Sequence, residues 1–155
     1  MEIMKQILFT TLLVILIIFA NGQTKTQKID KKPTTSKSKS MTENKQTVSK
    51  YIDGFMASDH AKVLSCLTDD VTWFIPGAVN LSGKEAFDKE IENDNFVGSP
   101  TIEIIRMVEE NDIVVAEGTV KCKMKNGGML DALFCDVFHM QNGKIKHLTS
   151  YIMNK

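Results

Sequence analysis

Cysteine is scarce and odd in number: Cys66, Cys122 and Cys135 are the only three in 155 residues. Such a count cannot form a fully paired disulfide framework, so at least one thiol stays free or bridges to another molecule. Cys122 and Cys135 fall on what read as neighbouring strands, which leaves one bridge open. There is no C-x-x-C motif and no His-rich pair. A metal site therefore has no support from spacing, and no cofactor is expected. A basic stripe is also missing. Residues 46–155 carry 11 Lys and Arg against 16 Asp and Glu, a balance of −5, which argues against nucleic-acid binding. The longest apolar run, residues 7–20, falls short of the roughly 20 residues a membrane-crossing helix needs. No Cys follows it, so a lipoprotein anchor is unsupported.

What that run does have is the form of an export signal. Glu2 and Lys5 precede ILFTTLLVILIIFA, and Ala20-Asn21-Gly22 places small residues where a signal peptidase reads. A signal peptide over 1–22 is expected, with an uncleaved anchor as the alternative. The protein is then exported, periplasmic or secreted, with no stable membrane span after cleavage. Residues 23–45 are rich in Lys, Thr and Ser and lack apolar periodicity. With seven Lys against Asp30 and Glu43 they carry +5. Low hydrophobicity and like charge predict a disordered linker. The neutral whole chain thus combines a basic tail with an acidic domain over 46–155, long enough for a single core.

The first half of that domain has helical periodicity. Val48, Tyr51, Ile52 and Phe55 recur at three- and four-residue spacing and predict a helix over 43–57, started by Thr42 with Glu43 behind it. Ser58-Asp59 caps a second short helix over 60–67, which Asp69-Asp70 ends. A short strand follows at 71–75, stopped by Pro76-Gly77. A loop containing Asn80, Ser82 and Gly83 leads to a third helix over 84–93, with Phe87 and Ile91 on one face. The period then changes. Strands are predicted at 101–108, 113–125, 129–141 and 144–153, joined by turns at 109–112, 126–128 and Asn142-Gly143. Helices first and strands later indicate an α+β fold with an antiparallel meander and the helices on one sheet face.

Asp136 stands out within this pattern. Strand alternation puts it on one face with Leu130, Ala132, Phe134, Phe138 and Met140, a carboxyl group among five apolar neighbours. A buried carboxyl is hydrogen-bonded, held neutral by a raised pKa, or both. A neutral acid can donate a hydrogen bond in catalysis. A satisfied structural acid, or one whose face meets water, is the plain alternative. The other face of this strand, with Leu133, Cys135 and Val137, is apolar too. A homodimer partner would cover it.

Three segments carry a resemblance: YIDGFMASDHAKVLSCLTDDVTWFIPG at 51–77, LSGKEAF at 81–87 and DVFHMQNGKI at 136–145. In order and spacing the chain resembles the nuclear transport factor 2-like superfamily, in its SnoaL-like and ketosteroid isomerase-like group, over 46–155. The resemblance implies a curved antiparallel sheet wrapped on about three helices, a cone with an apolar pocket. Compared with ketosteroid isomerase, Tyr51 matches the oxyanion tyrosine and Asp136 the protonated oxyanion acid. The general-base position holds Ile75, which cannot accept a proton. Limonene epoxide hydrolase uses an acid on its last strand. The comparable region, 147–153, has Ser150 and no carboxylate, which argues against epoxide hydrolysis.

The expected site is therefore Asp136 and Tyr51, with Trp73, Ile75, Phe134, Phe138, Leu148, Ser150 and Ile152 around a ligand. Trp73 and Phe74 straddle the first strand, one inward and one outward. His60 reads as exposed, His139 as opposite in face to Asp136, and Glu117 as surface. His147 is the one histidine to consider as a substitute base. A binding module for a small hydrophobic or aromatic molecule is the leading expectation. An isomerase or cyclase with Asp136 as acid/base and Tyr51 as donor is one alternative. A dimeric interaction domain with a vestigial pocket is the other.

Overall fold

Thr42 starts the first helix as its context predicts: its side-chain oxygen accepts from the Lys45 backbone N–H, and Glu43 sits in the positive first turn. In the computed structural model, which describes residues 41–155, this helix is α1, Glu43–Met56. The signal-like segment 1–22 and residues 23–40 of the Lys/Thr/Ser-rich stretch lie outside the described residues. Val48, Tyr51, Ile52 and Phe55 form the buried stripe of α1. Asp59 caps α2, His60–Ser65, by accepting from the Lys62 N–H at 2.9 Å. Helix α3, Lys84–Ile91, buries Phe87 and Ile91, the pair its spacing singled out.

Six strands follow the chain: β1 Leu67–Ile75, β2 Val79–Ser82, β3 Phe96–Glu110, β4 Ile113–Met124, β5 Met129–Gln141 and β6 Lys144–Asn154. The expected four-strand meander is present as β3-β4-β5-β6, and β1 and β2 continue the same sheet beyond β6 in the order β2-β1-β6-β5-β4-β3. The sheet is curved and unclosed, and the fold is α+β. β1 runs parallel to β6, with Trp73 opposite Leu148, while every other pairing is antiparallel.

The structure corrects two boundaries. Asp69 and Asp70 do not end a helix; they lie inside β1, which begins at Leu67. The Cys66 carbonyl accepts from Ile145 N–H at 2.8 Å, so β6 draws this segment into the sheet. The two carboxylates face water and pair with Lys84 and Lys146. The predicted loop around Asn80 contains β2, a partner for β1 that its own short sequence does not announce. The Asn142-Gly143 hairpin is as expected, with both residues at positive φ, 52° and 73°.

The helices pack on the inner sheet face. Phe87, Phe138, Leu67, Ile145, Leu148 and Val48 are among the largest side chains sealed there. Truncating a buried phenylalanine of this kind costs about 3–5 kcal/mol. The outer face is different. Phe74, Leu133, Tyr151 and Met153 are exposed on it, with Val115 and Val137 half-buried between them. All three cysteines are free, and the bridge left open between Cys122 and Cys135 does not form. Cys135 pairs with Glu117, five residues away from Cys122 on β4, and odd spacing puts the two thiols on opposite faces. Among the described residues no helix is long and apolar enough to cross a membrane.

Candidate functional site

Asp136 lies on β5 directly between Ala116 of β4 and Ser150 of β6. All three face the helices. Among the described residues Ser150 is the one polar or charged residue in the buried class, 3% exposed. Its Oγ accepts the indole Nε1–H of Trp73 at 3.0 Å. A hydroxyl that accepts one hydrogen bond still has its own hydrogen to give. Here it goes to the Asp136 carboxyl, and that bond pulls the Asp136 pKa down. Burial pushes it up more strongly, to about 6. The carboxyl is thus a mixture of acid and anion close to neutral pH, the condition for moving a proton.

The indole is itself held from two sides. Trp73 stacks on Phe87 with ring centres 5.0 Å apart and meets Phe55 edge-on at 6.0 Å. Phe55 and Phe138 also flank Tyr51, at 5.1 and 5.6 Å. Five aromatic rings from α1, β1, α3 and β5 therefore form one cluster beside the acid. Burial raises the Tyr51 phenol well above its ordinary value, the Asp136 charge raises it further, and Cys66 adds a smaller share. Tyr51 and Asp136 interact through charge, without a hydrogen bond between them. The expected phenol–acid pair shares one region of the fold, but the hydrogen-bond partner of the acid is Ser150.

The expected lining residues divide between two zones. Phe138 and Leu148 are sealed in the core under the helices, at 0% and 1% exposure. Phe134, Ile75 and Ile152 lie toward the open end of the inner face, where Ile152 is exposed and Ile75 half-buried. Asp136 sits at the boundary and is half-buried. Phe134 can pack down at this end because its neighbour is Gly118: a Cβ there would come within 2.8 and 2.9 Å of the Phe134 ring. The cleft at the β5–β6 turn is lined by other residues, and the one at the β1–β2 hairpin takes only Ile75 from the expected set.

The histidines stand away from this acid. His147 considered as a substitute base is corrected: it is exposed on the outer face, where its Nδ1 is 2.8 Å from Thr72 Oγ1. His139 is on that face too, and His60 is bonded to Asp88 at 2.7 Å between α2 and α3. Glu117 pairs with Arg106 at 2.9 Å. The Trp73–Ser150 bond is what sequence reasoning missed. An inward-facing Trp needs an acceptor for its N–H, which was a usable signal. Naming Ser150 required the parallel register of β1 on β6.

A family model described as a SnoaL-like domain matches residues 48–148. The chain belongs to the SnoaL-like family. Solved structures agree on the fold. A nuclear transport factor 2-like protein of unknown function from Burkholderia pseudomallei is 22% identical with a TM-score of 0.66, covering 73% of this chain and 92% of its own. An epoxide hydrolase from Mycobacterium tuberculosis, resembling the limonene enzyme, is 20% identical with a TM-score of 0.64 over 72% and 83%. TerC, co-crystallised with polyporic acid, is 18% identical with a TM-score of 0.63 over 74% and 92%. No curated protein matches the chain. At such identities these structures establish the architecture alone. The chemistry has to be read from this chain's own residues.

Proposed function

We propose that this SnoaL-like domain binds a small hydrophobic or aromatic molecule at the open end of the inner sheet face. The observation that carries the proposal is the Trp73–Ser150–Asp136 chain: a carboxyl with a pKa of about 6, oriented by one hydroxyl, beside a cluster of aromatic rings. Apolar surroundings with few placed polar groups are what small-molecule sites offer. Ile75, Phe134 and Ile152 supply the apolar contact, and protonated Asp136 donates to a carbonyl or phenolate oxygen of the ligand. TerC, of the same fold, was crystallised with polyporic acid, which supports an aromatic ligand class. The signal-like pattern of residues 1–22 supports a location outside the cytoplasm for this binding.

Trp73 is the only tryptophan in the chain, so its fluorescence reports on the site directly. At pH 5.5, phenols of rising basicity should bind progressively tighter, and Asp136→Ala should abolish the trend. If affinity follows the hydrophobicity of the phenol alone, Asp136 is not the donor and the proposal fails.

A second reading, an isomerase or cyclase using Asp136 as acid/base, is favoured by the same near-neutral carboxyl. Ile75 at the position of the usual base weighs against it, since enolisation needs a proton acceptor as well as a donor. Asp136→Asn separates the two: binding persists in a binding module, whereas turnover stops in an enzyme. A homodimer through the outer face is proposed alongside, because Phe74, Leu133, Tyr151 and Met153 leave an apolar strip open to water across three strands.

A further inference from the structure

The cleft at the β5–β6 turn, about 820 Å³, brings together groups that the sequence keeps apart. His139 and His147 are direct cross-strand neighbours on β5 and β6, and both are exposed. Their ring centres are 6.1 Å apart and their planes nearly perpendicular. With metal–nitrogen bonds of about 2.0–2.1 Å, two imidazoles on one ion hold their ring centres roughly 5–6 Å apart. Exposed rings can close that small gap by side-chain rotation. A β-bulge falls between His139 and Met140, a device that re-aims side chains at sites.

The tautomer is also provided for. Nδ1 of His147 is 2.8 Å from Thr72 Oγ1. When Nδ1–H donates to that hydroxyl, the lone pair is left on Nε2, the arrangement second-shell partners impose on metal-binding histidines. Glu43, Glu109 and Asp112 line the same cleft. Lys146, the one cation there, is paired with Asp70. The surroundings therefore favour a positive ion. Among the described residues no third ligating side chain joins the pair, so water completes the shell.

We propose that His139 and His147 form a two-imidazole site for a divalent transition metal of the zinc or copper type, with Thr72 as the positioning residue of His147. Imidazole donors suit zinc, copper and nickel, and copper(II) binds tightest in the usual order. This site is on the opposite sheet face from Asp136 and is independent of the small-molecule reading. Sequence spacing gave no sign of it, because the eight-residue separation means nothing until β5 and β6 are paired.

Titrating zinc chloride and then copper(II) chloride into the intact protein, in a weakly chelating buffer at pH 7.5, tests the proposal by calorimetry and proton NMR. Zinc should bind with one equivalent and shift the ring protons of His139 and His147 together, leaving those of His60 in place. His139→Ala and His147→Ala should each weaken binding at least tenfold. Thr72→Val should weaken it by about tenfold, the effect of losing a second-shell partner. His60→Ala should change nothing. Wild-type affinity in both His139→Ala and His147→Ala overturns the proposal, and so do zinc-induced shifts confined to other residues. The NMR arm decides the matter even if a variant fails to fold.

Discussion

Replacing Asp136 by Asn should make the protein more stable at neutral pH. The folded state holds the Asp136 carboxyl at about 6, against an ordinary value of 3.8. Between these values the folded chain binds more protons here than the unfolded chain does. Stability therefore falls as pH rises from about 4 through 6. A shift of this size corresponds to about 3 kcal/mol, an upper figure because the half-buried carboxyl keeps some contact with water. Asn preserves the shape and still accepts the Ser150 hydrogen bond, but does not ionise. Urea denaturation of both proteins from pH 4 to 8 isolates the effect in the difference between two curves. That subtraction is needed because Asp69, Asp70, Asp94 and Asp131, all lowered by lysine partners, act in the opposite sense. The variant's advantage should be small at pH 4, half-developed at about pH 5, nearly full by about pH 6 and level above that. Trp73 fluorescence in the folded wild type should instead titrate with the carboxyl itself, at about 6, through Ser150. A flat difference curve would refute the account of Asp136 as a group strained by burial.

Three further outcomes are expected. Gly118→Ala should cost about 1–3 kcal/mol in chemical denaturation, because its Cβ would press on the Phe134 ring and on the Glu103 carbonyl. His60 is raised chiefly by its hydrogen bond to Asp88, with Glu92 helping. Its contribution is full below its ordinary value of 6.5 and fades as pH rises through the higher folded value. The stability gap between wild type and His60→Ala should accordingly be widest near pH 5 and close in alkaline solution. Tyr151→Lys with Leu133→Lys should lower the molar mass measured by light scattering to that of a monomer, without shifting the fold seen by circular dichroism. An unchanged mass would remove the outer face as a self-association surface.

Local signals carried much of the architecture. Thr42 and Asp59 announce their helices because capping is settled within a few residues, and Asn142-Gly143 announces its hairpin for the same reason. Alternation along 129–141 put Asp136, Phe134 and Phe138 on one face, which the sheet repeats. What escaped depended on partners distant in the chain. Leu67 to Asp70 join β1 because Ile145 reaches Cys66, and nothing local reports that bond. Ser150 next to Asp136, Trp73 next to Ser150, and His139 next to His147 are facts of register. Periodicity fixes which face a side chain takes; it does not say which residue on another strand stands beside it. Tyr51 was placed near Asp136 by family likeness, and the two do share electrostatic reach, but the direct partner of the acid lay elsewhere.

β6 comes after the five other described strands in the chain and yet occupies an interior slot, with β1 on one flank and β5 on the other. A ribosome must therefore release nearly the whole domain before β1 and its hairpin gain a neighbour to dock on. Until then the helices and Trp73 wait without their other half, a long-range closure of the kind that slows folding. The stretch of β6 from Ile145 to Thr149, which β1 pairs with, acts as a keystone. A chain cut ahead of it should lose its hold on the β1–β2 flank, whereas trimming the exposed residues from Tyr151 to Lys155 would leave that contact in place.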